Sequence, residues 1–345
     1  MRRRLVAALI GSLAVLGVVS CSSTPVELAP ATIPAASPAE APPPAHPPAG
    51  AVRPLDAPVQ GAVFDPAAAA LLVLSPGANA EAPARLTVFG SGTGPGRVVE
   101  LPGTATAVTV AEGRVYLSTR GGYFVADSAD LGADVQRVEV RDHADTDFTA
   151  VARRADGRMV LGSADGAVFI LNPAEGGQAG VGEYRKIFAR VDSIVTQGDT
   201  AVVLDRGQTS VTAINAAGEV AQALRAGEGA TTLVADPVGR ILVTDTRGGE
   251  LLVYSADPLI LRQRYPVASA PYGLAGSAEL AWVSQTAANT VVGYDLSTGI
   301  PVEKVRYPTV QQPNSLGFDP ATNTLFVVSG AGAGVQVIRD AAGAS

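Results

Sequence analysis

A pattern of about forty residues recurs from residue 51 onward, and it restricts the fold more than any other feature. The clearest copies are ATTLVADPVGRILVTDTRGGELLVYSADPLILRQRYPV (230–267) and APYGLAGSAELAWVSQTAANTVVGYDLSTGIPVEKVRYP (270–308). Each holds four short apolar runs rich in Val, Leu and Thr, divided by Gly, Asp and Asn. Runs of that length and composition form strands and not helices. The next copy, QPNSLGFDPATNTLFVVSGAGAGVQVIRD (312–340), stops after three runs. Weaker copies begin near Ala62, Ala107, Ala150 and Ile194; aligned with Leu233, Leu274 and Leu316, the spacings are 45, 43, 44, 39, 41 and 42 residues. Four short strands per period of that length is the pattern of a β-propeller. The fold expected for residues 51–341 is therefore all-β, a single propeller of seven four-stranded blades. Six or eight blades would require the alignment of the weaker copies in 60–190 to be wrong. AVRPLDAP (51–58) is an extended segment with no repeat of its own. It is expected to pair onto the last blade as its missing fourth strand, because an open last blade would leave an edge prone to aggregation.

The segments RILVTDTRGGELLVYS and LAWVSQTAANTVVGYDLSTG resemble the YVTN-type β-propeller repeat, in which a strand ending in YVTN turns into NTVSVID; NTLFVVSGAGAGVQVIRD and TAVVLDRGQTSVTAINAAG are similar. The resemblance is close over roughly 190–340 and loose over 60–190. Val243-Thr244-Asp245 and Val283-Ser284-Gln285 stand where that family has Val-Thr-Asn. What the resemblance implies is a fold, since its members include enzymes, ligand binders and scaffolds.

The first fifty residues carry a different message. Arg2, Arg3 and Arg4 precede an apolar run from Leu5 to Val19, then Ser20 and the single cysteine, Cys21. A basic segment, an apolar stretch and a small residue make a secretory signal peptide, and the run is shorter than the roughly 20 residues of a membrane span. Val18-Val19-Ser20-Cys21 resembles the bacterial lipobox. That resemblance implies cleavage before Cys21 and a diacylglyceryl group, palmitate among its acyl chains, on the thiol. Two or more acyl chains anchor a protein stably. The expected organisation is a lipoprotein signal peptide (1–20), a lipid-anchored Pro/Ala-rich linker (21–50) and the propeller (51–341). The localisation expected is outside the cytoplasm, tethered to the bacterial cell membrane. The linker contains Pro42-Pro43-Pro44 and His46, and such composition favours solvated polyproline II. It is expected to be a spacer holding the propeller several tens of Å from the lipid.

The formal charge of −7 becomes −10 once Arg2 to Arg4 leave with the signal peptide. An exported domain so acidic is a poor nucleic-acid binder. With Cys21 acylated no disulfide is possible, so the fold rests on apolar burial.

Propeller geometry places the inter-blade loops and the turns between second and third strands on one face. Candidate residues for a ligand or partner there are Arg120, Asp147, Asp192, Asp205, Arg206, Asp245, Arg247, Tyr272 and Asn314, with Thr106, Thr231, Asp165, Gln285 and Asn289 at comparable places. Arg stands beside Gly in TRGG (119–122), DRG (205–207) and DTRGG (245–249). One reading is structural, with Gly supplying positive φ and Asp capping turns. The other is a ring of Arg and Asp binding a polar or anionic ligand through charge-assisted hydrogen bonds. No zinc-type ligand set, EF-hand loop, P-loop or nucleophile elbow is present. Asp142, His143, Asp145 and Asp147 read as a solvated loop more readily than as an acid–base or metal cluster. No cofactor, metal or catalytic residue is assigned.

The function expected is a non-catalytic binding or scaffolding module, monomeric, with an envelope protein, glycan or small molecule at the loop face and the membrane as its anchor. The alternative is an exported hydrolase or lyase of lactonase-like type, using channel-mouth carboxylates and Arg with His143 as acid–base. A quinone-dependent redox propeller is a third class, against which the lack of repeated Trp motifs counts.

Overall fold

Second strands such as Ala70–Ser75, Thr200–Asp205, Leu280–Gln285 and Thr324–Ser329 are buried at every position. Side chains alternate between the two faces of a strand, so continuous burial requires cover on both sides. Stacking one small sheet against the next around an axis provides it. The computed structural model describes residues 30–343 apart from Asp56 and Ala133. Among these residues the strands form seven sheets.

Blades 1 to 7 have the inner strands Gly61–Asp65, Ala107–Ala111, Phe148–Arg153, Ser193–Gln197, Ala230–Ala235, Pro271–Gly276 and Pro313–Asp319. Each inner strand touches the next, and that of blade 7 touches that of blade 1. The seven residues aligned from the repeat fall one in each inner strand, and the all-β, seven-bladed expectation holds. One 3₁₀ turn, Thr286–Ala288, is the single helical element among the described residues.

Apolar burial is divided among the blade interfaces. Leu72 and Leu74 of blade 1 pack with Val115 and Leu117 of blade 2. Trp282 of blade 6, fully buried, packs with Leu316 and Val327 of blade 7 and stacks on Phe318 at 5.8 Å. Phe64 and Val73 of blade 1 meet Phe326 and Val328 of blade 7, and Phe64 stacks on Phe326 at 5.7 Å. Outer strands such as Val181–Lys186 and Val220–Arg225 alternate between half-buried and exposed positions. Each ends in an exposed charge, Lys186 and Arg225, of the kind that discourages pairing with another chain.

Ring closure follows the expected route. Ala51–Arg53 pairs antiparallel with Val335–Ile338 of blade 7, with Ala51, Val52 and Arg53 opposite Val337, Gln336 and Val335. Gly50 turns the chain into this strand at φ +71°, and any Cβ there would run into the Val337 carbonyl oxygen. Glycine alone satisfies both conditions at no steric cost.

Two features go beyond the repeat. In blade 3 the connection between third and fourth strands reaches back to blade 2, where Gln178–Ala179 pairs parallel with Gln136–Val140 as a fifth strand. The second feature corrects the expectation of a solvated spacer. Residues 33–42 lie along the loop face of blades 4 to 7, burying Ala36 and Ala41. Pro42 to Pro47 are exposed, His46 among them. Composition rightly excludes a packed core for such a segment, but it does not keep extended chain away from a surface lined with hydrogen-bond donors.

Candidate functional site

Seven inner strands surround a channel of about 550 Å³. Its wall is mainly Ala, Val, Thr and Leu backbone and side chain, because seven strands converging on one axis leave room for little else. The charged residues of that wall are Arg153, Asp192 and Arg206. Arg153 ends the inner strand of blade 3 and pairs at 2.7 Å with Glu112, in the turn after blade 2's inner strand. Asp192 and Arg206, with Thr231, Tyr272 and Asn314, lie at the loop-face end, and there the structure brings four of the nine candidates together.

Asp192 precedes the inner strand of blade 4, and its Oδ2 accepts the Arg206 backbone N–H at 2.8 Å. Its Oδ1 lies 3.2 Å from Arg190 Nε. Burial pushes its carboxyl above the usual range, against the opposing effects of the Arg206 N–H and the charges of Arg206 and Arg190. A carboxyl with a raised pKa binds its proton at higher pH folded than unfolded, so its contribution to stability grows as pH falls through the folded pKa. Asp192→Asn keeps an acceptor for the Arg206 amide and removes the titration. The parent protein is therefore expected to gain stability relative to Asp192→Asn between about pH 7 and about pH 4, measured by urea unfolding. A parent that loses ground over that interval would contradict the assignment.

Asp205 and Asp245 are fully buried, and their oxygens are spent inside the fold. Asp205 Oδ2 accepts the amides of Ala189 and Arg190, and Oδ1 that of Gln208. Asp245 repeats the arrangement one blade on: Oδ2 accepts Glu228 N–H, and Oδ1 accepts Gly229 and Gly248 N–H, each at 2.8–2.9 Å. Each carboxylate staples the turn after a second strand to the loop entering the same blade. Three amides take three of the roughly four lone-pair sites of each carboxylate, and full burial closes the remaining one to a ligand. The last position of Val-Thr-Asp in the repeat is thus a fold position.

The other candidates are dispersed. Arg120 pairs with Asp145 at 2.9 Å and Asp147 at 3.5 Å on blades 2 and 3, all in solvent. Asp165 accepts from Lys186 at 2.8 Å and Ser163 at 2.6 Å, which holds its carboxyl below the ordinary value. His143 packs edge-on to Phe169, 4.8 Å between ring centroids, whose ring also meets Phe148 and Tyr184, and it is not part of the channel wall. Among the described residues no three of His, Cys, Asp and Glu lie together as a metal-ligand set. Cys21, the signal peptide and the lipobox lie outside the described residues.

Arg206 and Arg247 turn out to hold the strap formed by residues 33–42. Arg206 Nη2 donates to Ala36 O, and Arg247 Nη2 to Pro34 O at 2.7 Å. Gln312, unforeseen from the sequence, donates to Ala39 O at 2.9 Å and to Asn314 Oδ1 at 2.9 Å. Two residues of the channel mouth, Arg206 and Asn314, are thereby tied to the strap. The amide-rich QQPN (311–314) at the entry to blade 7 was the one available signal for this role.

No protein-family model matches the sequence, and no curated protein matches it. Solved structures do share the architecture. A chain of the mitotic checkpoint complex aligns with TM-score 0.65 at 11% identity, covering 83% of this chain and 92% of that one. Hydrazine synthase of Kuenenia stuttgartiensis aligns with TM-score 0.64 at 14% identity, over 83% and 97%. Virginiamycin B lyase from Staphylococcus aureus aligns with TM-score 0.62 at 12% identity, over 81% and 94%. These likenesses show the fold alone. The chain is a seven-bladed β-propeller, and such propellers serve unrelated functions.

Proposed function

We propose that this chain is an exported lipoprotein of a bacterial envelope, related to the YVTN-type repeat proteins, whose propeller is a non-catalytic binding or scaffolding module. The tether rests on Arg2 to Arg4, the apolar run from Leu5 to Val19 and Cys21 at its end. The observation that favours binding over turnover is the use of the loop-face carboxylates. Asp205 and Asp245 are consumed by backbone amides, and Asp192 shares the channel wall with no His or second carboxylate. General acid–base catalysis needs a proton acceptor and donor within reach of one substrate, and this mouth offers hydrogen-bond donors instead.

Partner capture from envelope proteins, glycans and lipids by the immobilised chain supports the module. Turnover of a substrate that is lost in Asp192→Asn or His143→Ala, with folding intact, would replace it with the hydrolase or lyase. The tether has its own test. Cys21→Ala is expected to abolish incorporation of labelled palmitate and leave unprocessed precursor, whereas cleavage of the parent to a lipid-free soluble product would refute the anchor.

A further inference from the structure

We propose that the loop face of blades 4 to 7 is a receptor for extended, proline-rich peptide segments of a partner protein, with residues 33–42 of this chain as its resident occupant in cis. The proposal names the partner class for the binding-module reading and rests on it.

The contacts are those of peptide recognition directed at the backbone. Five strap carbonyls, those of Pro34, Ala36, Ala39, Ala41 and Pro42, accept hydrogen bonds from the side chains of Arg247, Arg206, Gln312, Gln311 and Asn289 respectively. Two strap amides are also satisfied, Ile33 N–H by Gly207 O and Ala41 N–H by Gln312 Oε1, both at 2.9 Å. Pro34, Pro38 and Pro42 have no amide to satisfy, so the absence of a strand partner costs the strap nothing at those positions. A pre-extended proline-rich segment also loses little entropy on docking.

Side-chain demands are few. Ala36 and Ala41 are buried, while Ile33, Pro34, Ala35, Ser37 and Glu40 face solvent. A Cβ at Gly229 would stand 2.9 Å from the Ala36 Cβ, so the blade 5 loop is cut back where the strap lies closest. Any extended segment with small residues at those two places and proline between them meets the same donors. The strap can also leave without opening the ring, because exposed residues Pro43 to Pro47 separate it from the closing strand at Ala51–Arg53. Its departure would free Arg206 at the channel mouth, coupling occupancy of the face to access to the channel.

The test uses the full chain purified in detergent and a fluorescent synthetic peptide of residues 30–44. Ala36→Lys places bulk and positive charge beside Arg206 and Arg247, and Ala41→Lys, combined with it, places bulk beside Gln311 and Gln312. Pro34→Gly with Pro38→Gly loosens the strap with no new bulk, should the first pair disturb folding. Both are expected to reduce hydrogen-exchange protection of residues 33–42 at least tenfold. The peptide is then expected to bind the released chains at least tenfold tighter than the parent, whose own strap competes at the high effective concentration of a short tether. Adding Arg206→Ala, Arg247→Ala and Gln312→Ala should abolish that binding. Unchanged strap protection in both variants, equal binding to parent and released chains, or binding that survives the triple substitution overturns the proposal. A folded, released chain that ignores the peptide removes this receptor alone; the binding-module reading fails separately, on turnover.

Discussion

Asp245→Ala is expected to destabilise the protein by about 3–5 kcal/mol. The substitution removes the acceptor of three backbone amides, Glu228, Gly229 and Gly248. Water has poor access to replace it, because the carboxylate is fully buried and the Gly229 contact lies inside the protein. Each orphaned buried donor costs its desolvation, roughly 1–3 kcal/mol. The bonds also span two segments, so their loss frees the turn after blade 5's second strand from the loop that enters the blade. Arg247 stands in that turn and holds Pro34, so strap protection should fall along with stability. Asp245→Asn keeps the shape and one acceptor oxygen but turns an NH₂ toward at least one of the amides. It should lose about 1–3 kcal/mol. Fluorescence of Trp282, the single tryptophan and fully buried, follows unfolding in urea. A shift below about 1 kcal/mol for the alanine variant would mean the staple contributes no more than an ordinary exposed hydrogen bond.

Arg53→Ala should cost about 2–4 kcal/mol and expose the protein to self-association. Arg53 ends the closing strand and is buried at 6% exposure. Its Nε donates to Gly94 O at 2.8 Å and its Nη1 to Gly90 O at 2.6 Å, while the guanidinium lies 4.8 Å from the Phe89 ring centroid. Burial strips part of the water from the charge and lowers its pKa. The side chain therefore latches the added strand of blade 7 to the turn between the third and fourth strands of blade 1. Without it the three-residue pairing to Val335–Ile338 keeps the Ala49 bonds to Pro308 and Gln336 and the buried Leu55, but loses its tie to blade 1, and the edge of that strand loosens. Lysine retains the charge but cannot reach two carbonyls with one planar fork, so Arg53→Lys should fall between parent and alanine. Urea midpoints and light scattering would show both effects. A monomeric Arg53→Ala with the parental midpoint would mean that closure does not depend on the latch.

The repeat was legible because blade structure is local. Strands of four to seven residues, joined by turns containing Gly and Asp, reveal themselves in runs such as RILVTD and LAWVSQ, whatever lies on the next blade. The closing strand was legible for a related reason: three runs in the last copy leave one strand to be supplied, and AVRPLDAP was the unassigned extended segment. The two-residue strand Gln178–Ala179 was not, because so short an element has no periodicity.

The candidate site divides along the same line. That Arg and Asp recur beside turn glycines is visible in TRGG, DRG and DTRGG. Whether such an Asp faces a ligand or staples two loops depends on distances across sixteen or seventeen residues of chain, as from Asp245 to Gly229 and Glu228. Residue type carries no information about that distance. Residues 30–50 show the limit most clearly. Their composition dictates an extended segment with no core of its own, and the segment forms neither helix nor strand before Ala51. Its place on the loop face comes from donors on Arg206, Arg247, Asn289, Gln311 and Gln312 meeting backbone carbonyls that every peptide possesses. A contact made to the main chain leaves almost no trace in the side chains that flank it, so this one became visible once the ring had assembled its donors on a single face.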